Sequence, residues 1–276
     1  NPILQDNLDI CRRYGMEVIT PACGYLACGD TGAGKMPEPE VLYEYILREA
    51  GYPGDLAGRR ILVTAGPTRE SIDPVRYITN HSTGKMGYAI ARVAAYRGAD
   101  VTLVSGPVDL ARPLFVETVP VESAREMFEA VTARSGEQDI IVKAAAVADY
   151  RPSTVGTEKI KKSDGDLSIA LERTDDILRW LGQNRRDGQF LCGFSMETQN
   201  MLENSRAKLA KKQIDMIVAN NLKVEGAGFG TDTNVVTLIT RESETELPIM
   251  SKEEVADRLL TEILKRTKGQ GGLNPA

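Results

Sequence analysis

Two stretches of this sequence place a lysine directly after a glycine in surroundings that could hold phosphate. The first, "GDTGAGK" (residues 29–35), fits the opening of a P-loop: glycine, four residues, glycine, lysine. A P-loop next needs a hydroxyl for magnesium, and here Met36 offers a thioether with little affinity for a hard cation. Pro37 and Pro39 then favour an extended segment over the helix that must follow. Upstream, "GYLACGD" is too broken by glycine to read as a strand. The stretch is a decoy for phosphate. The second, "STGKMG", closes the stretch "GPTRESIDPVRYITNHSTGKMG" (residues 66–87), a connection about three times the usual length. It carries Arg69, Arg76 and Lys85, several hydroxyls and Asn80, and it ends where a helix should start. Free amides at a helix start beside glycines make an anion site. The plain alternative is a surface loop with a Ser or Thr cap. The absence of GxGxxG disfavours an NAD-type reductase.

Three further stretches could carry chemistry. In "KAAAVADYRP" small residues would let a flat ring approach the backbone, with Asp149 accepting from ribose hydroxyls. The same letters also suit a tightly packed strand with a capping aspartate. "GTEKIKKSDGD" puts Lys159, Lys161 and Lys162 on a glycine-flanked loop, where a charge run is usually a solvated face. Lys208 and Lys212 stand at i and i+4 on one helix face, and alone they read as solvated too.

The elements that must position these residues alternate regularly. Strands are expected in "RRILVTAG", "DVTLVSG", "DIIVKAAAVADY", "QFLCGFS" and "DMIVANN". Helices are expected in "GYAIARVAAYRGA", ended by Gly98, and in "ESAREMFEAVTARSG", "DDILRWLGQNRR" and "MLENSRAKLAKKQ". "NVVTLIT" and "TELPIM" predict a hairpin around "RESE", and "SKEEVADRLLTEILKRT" a final helix. Ser123 with Glu126, and Ser251 with Glu254, predict capping boxes. The alternation predicts an α/β fold: a Rossmann-like, doubly wound, mostly parallel sheet with a C-terminal β-hairpin. Its ligand belongs at the carboxyl ends of the strands, where strand order reverses. Before it, residues 1–57 read as a short αβ segment, a glycine-rich loop, a helix around "EVLYEYILREA" and a linker "GYPGDLAG". The main domain covers residues 58–268, and residues 269–276 read as a disordered tail.

The 276 residues suffice for one large or two ordinary domains. A hydrophobic content of 42%, charged residues at 26% and a net charge of -5 describe a soluble globular protein and argue against a general nucleic-acid binder. No apolar run approaches the roughly 20 residues that span a bilayer. Cys11, Cys23, Cys28 and Cys192 lack a disulfide or zinc spacing, and His81 is the single histidine, so a reducing cytoplasm is expected and a metal-ligand cluster is not. The start "NPILQDNLD" reads as neither a signal peptide nor an initiator, which suggests a piece of something longer.

Together, "VTAGPTRESIDPVRYITNHSTGKMG", "KAAAVADYRP", "EKIKK" and "GFSMET" resemble bacterial phosphopantothenoylcysteine synthetases, the ligase half of bifunctional coenzyme A biosynthesis proteins. The likeness covers roughly residues 58–268, with the four motifs in order. "GYLACGDTGAGKMPEP" resembles the end of the partner half, a flavin-dependent decarboxylase, where it forms a substrate clamp. Cys28 there resembles the acid that protonates an enethiolate, against the plain reading of a buried structural thiol.

The resemblance implies a ligase that joins 4′-phosphopantothenate to cysteine using CTP and Mg2+, through an acyl-cytidylate, as a cytoplasmic homodimer. FMN is implied only for a decarboxylase half whose flavin pocket and histidine lie outside this sequence. By motif, Asn80 corresponds to the residue holding the acyl-cytidylate and Arg76 to one gripping substrate. Lys143, Ala144 and Ala145 would offer backbone to the nucleotide, Asp149 would meet the ribose, and Lys159 the triphosphate. Asp175, Asp176, Ile177 and Leu178 match a segment near the phosphates, although "TDDIL" departs from the family's usual "NPDI". Phe194 matches the residue beside the cytosine, and Lys208 and Lys212 two nucleotide-contacting lysines. A non-catalytic scaffold is the competing class, and the joint presence of Asn80, Asp149 and Lys159 speaks against it.

Overall fold

The computed structural model describes residues 1–161, 166–196, 201–220, 228 and 230–268, so the tail expected at 269–276 lies outside the described residues. Two compact units divide between Gly51 and Tyr52.

In the first unit, helix α1 (Pro2–Arg13) is capped by the Asn1 side chain, which accepts from the Ile3 amide at 3.0 Å. Strands β1 (Ala22–Tyr25) and β2 (Thr31–Lys35) form an antiparallel hairpin, followed by α2 (Pro39–Ile46). "GYLACGD" gives only Gly24 and Tyr25 to β1, and the rest of it forms the hairpin's turn, as its glycines imply. Glu38 is extended, as the paired prolines imply, and Pro39 then opens α2, since a first-turn residue has no use for an N–H.

The second unit runs through β3 (Arg60–Ala65), β4 (Arg69–Ser71), β5 (Tyr77–Thr79), α3 (Lys85–Tyr96), β6 (Asp100–Ser105), β7 (Val116–Pro120), α4 (Ala124–Ser135) and β8 (Ile140–Lys143). It continues through β9 (Tyr150–Pro152), β10 (Leu171–Arg173), α5 (Ile177–Gln183), β11 (Phe190–Met196), α6 (Met201–Lys212), β12 (Met216–Asn220), β13 (Thr233–Ile239), β14 (Glu244–Ser251) and α7 (Lys252–Lys268). Eight strands make one sheet in the order β14-β13-β12-β11-β8-β3-β6-β7. Strands β12 to β7 in that order are parallel, and β13 and β14 add the antiparallel hairpin. After β3 the chain builds outward to β6 and β7, then returns to place β8 on the other side of β3. Strand order reverses there, between β3 and β8.

Strand residues alternate between two cores, as a sheet covered on both faces requires. Ile61, Val63, Val101, Leu103, Val142 and Met216 pack under α3 and α7. Leu62, Val104, Ile141, Leu191 and Ile217 pack under α4, α5 and α6. Gly87 lets α3 lie directly on β3, since a Cβ there would come within 2.5 Å of the Ala65 Cβ. One capping box forms in full and the other in part. Ser251 and Glu254 exchange backbone bonds at 2.8 and 3.2 Å. Ser123 accepts from the Glu126 amide, but Glu126 reaches one residue further back, to the Glu122 amide at 2.9 Å.

The second unit starts at Tyr52, ahead of Gly58 where the sequence suggested a boundary. Leu56 is fully buried and its amide donates to the Arg97 carbonyl at 2.9 Å. The Arg97 side chain, 2% exposed, forks onto both Asp55 oxygens at 2.8 and 2.7 Å. It also donates to the Asp257 carboxylate and carbonyl and to the Thr261 hydroxyl on α7. The turn-rich linker therefore belongs to the second unit's packing. No helix among the described residues is long and apolar enough to cross a membrane.

Candidate active site

At the carboxyl edge, where strand order reverses, lies a cavity of about 470 Å³. The loop after β3 contributes Asn80 to Thr83, the start of α3 adds Gly84 to Gly87, and the end of β8 adds Lys143 to Val147 with Asp149. Phe194 and Ser195 from β11, Asn220 from β12, Asn234 from β13 and Lys252 from α7 complete much of the rest. This is the position that the alternation of strands and helices predicted.

Threonines and asparagine hold the β3 and β8 loops in register. The Ala145 amide donates to Thr64 Oγ1 at 3.1 Å, and the Ala148 amide to Thr68 Oγ1 at 3.0 Å. Asn80 Nδ2 donates to the Ala146 carbonyl at 2.9 Å, which fixes its amide against the small-residue segment. Helix α3 begins at Gly84, in left-handed conformation at φ 79, with no side-chain cap. Gly84 has no side chain to cap the helix; the Ser82 hydroxyl accepts from the Gly84 amide at 3.3 Å, so the serine of the plain reading holds the turn that leads into α3.

Lys143 is part-buried, with Nζ 3.4 Å from the Ala145 carbonyl. Burial pushes its ammonium down to about 8; Asp149 opposes this, and Lys212 and Lys208 add to it. These lysines thus converge on one place. Lys208 Nζ stands 3.5 Å from Ser195 Oγ, and Lys212 Nζ is bound to the Asp176 carboxylate. Burial also lowers Lys212, against the pull of Asp149. A second, contiguous cavity shares Asp149 and is lined by Asp175, Asp176, Arg173 and Trp180.

Several expected site residues sit elsewhere. The Ile177 and Leu178 side chains belong to the core; Leu178 fills the space behind Gly193, where a Cβ would meet it at 2.6 Å. Arg76 does not line the cavity. Its guanidinium bonds Asp73 Oδ2 at 2.5 and 3.1 Å and the Ile160 carbonyl at 3.0 Å. Asp73 also accepts from the amides of Val75, Arg76 and Ile160, and the Arg76 guanidinium holds its carboxyl well below the usual carboxylate range. Lys159 is exposed and outside the cavity lining, on a segment that Asp73 and Arg76 tie to the first loop. Lys162 lies outside the described residues. Cys28 is exposed in the turn of the first unit's hairpin, its Sγ 3.9 Å from Asp30 Oδ2, so the reading of a buried structural thiol does not hold.

Residues 56–267 match the profile of the DNA/pantothenate metabolism flavoprotein C-terminal domain. The chain belongs to this family. It is 46% identical to the Coenzyme A biosynthesis bifunctional protein CoaBC of Bacillus subtilis (strain 168), over 98% of this chain and 68% of that protein. A crystal structure of the C-terminal domain of a CoaBC protein matches with TM-score 0.68 and 46% identity, over 79% of this chain and 100% of that chain. A Cab2 mutant in complex with phosphopantothenate-cysteine matches with TM-score 0.64 at 17% identity, over 85% of this chain and 96% of that one, a likeness of fold alone. The chain spans about two thirds of the length of the curated relatives it matches. The expected α/β fold and the expected membership in the ligase half stand, and with them an enzyme in place of a scaffold.

Sequence reasoning missed several cavity residues of this family member. Lys252 begins α7, Asn220 ends β12 and Asn234 is the second residue of β13, and nothing in their local spacing marks them. Only the sheet order brings them to the edge that holds Asn80. Lys85, one of the three cations of the long loop, lines the cavity as the anion-site reading of "STGKMG" implies.

Proposed function

We infer that this chain joins 4′-phosphopantothenate to cysteine at the expense of CTP. The reading rests above all on Asn80, whose side-chain amide is held by Ala146 in a cavity flanked by Lys143 and Asp149 on β8 and by the open start of α3. A carboxylate is a poor electrophile, so its oxygen first attacks the α-phosphate of the nucleotide and pyrophosphate leaves. The cysteine amine then attacks the acyl carbonyl, CMP departs, the amine gives up a proton, and an amide remains. Negative charge develops on phosphate and carbonyl oxygens in both steps, and preorganised donors stabilise it.

The residues have roles that fit. Ala144 and Ala145 let the base and ribose approach the backbone, Phe194 sits beside the base, and Asp149 accepts from the ribose. Lys143, Lys208 and Lys212 gather positive charge for the phosphates, and Lys159 comes from the neighbouring loop. Asn80 donates to the acyl oxygen. Arg76 acts by fixing that loop through Asp73 and Ile160. Magnesium suits the site as an ion carried chiefly by the triphosphate, because no group of three potential metal ligands occurs among the described residues and the cavity offers Asp149 as its carboxylate. It would neutralise phosphate charge. The homodimer and the cytoplasmic setting belong to the same proposal. For residues 1–57, decarboxylation with Cys28 as the acid and FMN as cofactor is proposed only for a longer protein that carries a flavin pocket.

The test is pyrophosphate release with phosphopantothenate, cysteine and each nucleoside triphosphate offered separately. Release with CTP that requires phosphopantothenate is expected. No release with any triphosphate would overturn the ligase reading, and equal release with ATP would remove CTP from it.

A further inference from the structure

A third cavity, of about 390 Å³, shares the loop from Asn80 to Lys85 with the first, but its remaining walls stand on the β6 side of β3, away from β8. They come from the β4-β5 hairpin and from residues 107–110, just after β6. Arg69 stands opposite Thr79 in that hairpin, so Tyr77, two residues along, presents its side chain on the same face. The guanidinium accordingly lies over the Tyr77 ring, 4.8 Å from its centroid. The Arg69 amide donates to the Glu122 carbonyl and Thr79 Oγ1 to the Thr68 carbonyl, both at 2.8 Å, which fixes the base of the arginine. The ring covers one face of the guanidinium and leaves its edge: among the described residues no carboxylate or carbonyl accepts from its N–H groups. A half-buried guanidinium with its donors unspent is a fork shaped for a carboxylate. Asp109, exposed at the rim, adds a negative charge, while the Lys85 ammonium is already bound to Asp232 at 2.6 Å. One available charge of each sign suits a zwitterion better than a phosphate dianion. Pro67, Pro107, Val108 and Leu110 supply an apolar wall, against which a thiol side chain packs as a small hydrophobe.

We propose that this cavity is the subsite of the amino-acid substrate, with Arg69 forking onto the α-carboxylate of cysteine. The inference rests on the ligase reading and extends it to the second step. Asn80 is a wall common to both cavities, so an amine held on the β6 side meets the acyl carbon beside Asn80. It comes from the side away from Lys143, Lys208 and Lys212, which gather on β8 and α6 for the phosphates. In the exchange the C–N bond forms, the C–O bond to CMP breaks and the amine's proton goes to solvent. The carboxylate takes no part in those bonds; anchored on Arg69, it orients the amine.

The test compares cysteine with cysteamine, which keeps the amine and thiol but lacks the carboxylate, in the wild type and Arg69→Gln with CTP and phosphopantothenate. The wild type should prefer cysteine. Arg69→Gln should lose about tenfold or more in kcat/KM for cysteine, with its use of cysteamine unchanged. Acyl-cytidylate formation without any amine, read by mass spectrometry, should also be unchanged; if Arg69→Gln does not fold, Arg69→Met is measured in its place. Asp109→Asn should weaken cysteine and cysteamine alike, and no change in either would overturn the zwitterion reading of the cavity. Wild-type use of cysteine by Arg69→Gln, an equal loss for both amines, or loss of the acyl-cytidylate itself overturns the proposal and leaves the ligase reading standing. A wild type that releases no pyrophosphate with any triphosphate overturns both.

Discussion

Gly34–Lys35 and Gly84–Lys85 are the same dipeptide in two settings, and the second lines the cavity at the carboxyl edge of the sheet. Lys35 ends a hairpin strand, half-exposed, and is satisfied by Glu38 at 2.7 Å one turn of chain away. Lys85 opens a twelve-residue helix whose first amides lack a side-chain cap, at the edge where sheet order reverses. Gly34 serves a strand; Gly84, at φ 79, turns the chain into a helix. What the pair teaches is that the amides beside a glycine–lysine pair are spent or spared according to the element that follows it. A hairpin strand pairs its amides with its neighbour, whereas a helix start leaves them to a ligand.

The comparison can be broken or sharpened by substitution. The largest effect is expected at Asn80, in the loop that leads into α3. Asn80→Asp keeps the size but loses the amide donor, so acyl-cytidylate should form and then stall, with amide formation down about 10²–10³-fold. A mass spectrum of the quenched reaction, with and without cysteine, should show the intermediate accumulating; normal amide yield would assign Asn80 another role.

Gly87→Ala tests whether the helix must lie this close to β3. Its Cβ would crowd Ala65 and the Thr64 carbonyl, at 2.5 and 3.0 Å, so a loss of about 1–3 kcal/mol is expected in denaturant unfolding. Gly32→Ala in the first hairpin meets nothing nearer than 4.0 Å and should move stability by less than about 0.5 kcal/mol. Equal losses at the two sites would erase the distinction.

Lys143 gives a pH signature to the helix-edge site alone. It is charged below about pH 8 and neutral above, so kcat/KM for CTP should fall as pH rises through about 8. Its folded value lies below the ordinary lysine value of 10.5, so the unfolded chain binds more protons between about 8 and 10.5 and stability rises with pH there. Binding and stability thus run in opposite directions. Lys143→Met should flatten the limb in kcat/KM, and an unchanged limb would assign it to another group.

The smallest effect belongs to Lys35→Ala. An exposed, solvent-screened lysine–glutamate pair contributes little, and neither KM for CTP nor pyrophosphate release should change. A raised KM would bring the first motif back as a phosphate site.

Much of the second unit was legible because its strands are buried on both faces and read as unbroken apolar runs, such as "ILVTA" and "DIIV". The edge strand Val116–Pro120 escaped because "VETVP" shows neither an unbroken apolar run nor a strict alternation, and it ends at a proline. The three-residue strands Arg69–Ser71 and Tyr77–Thr79 escaped because pairing across the long loop, not local propensity, makes them. Asn80 and Asp149 were legible through motif likeness. The anchoring of Arg76 on Asp73, buried three residues away, and the arrival of Lys252 at the site depend on contacts between distant parts of the chain that periodicity does not encode.

The Arg97 fork sets where the ligase unit can be excised. A chain begun at residue 52 keeps Asp55 and Leu56, and should fold as the intact protein does. One begun at residue 59 would leave the guanidinium without its bidentate partner and open the pocket that Leu56 fills. Proteases should therefore trim the linker up to Tyr52 and stall before Leu56, and amides just beyond that point should exchange with solvent only when the whole unit opens.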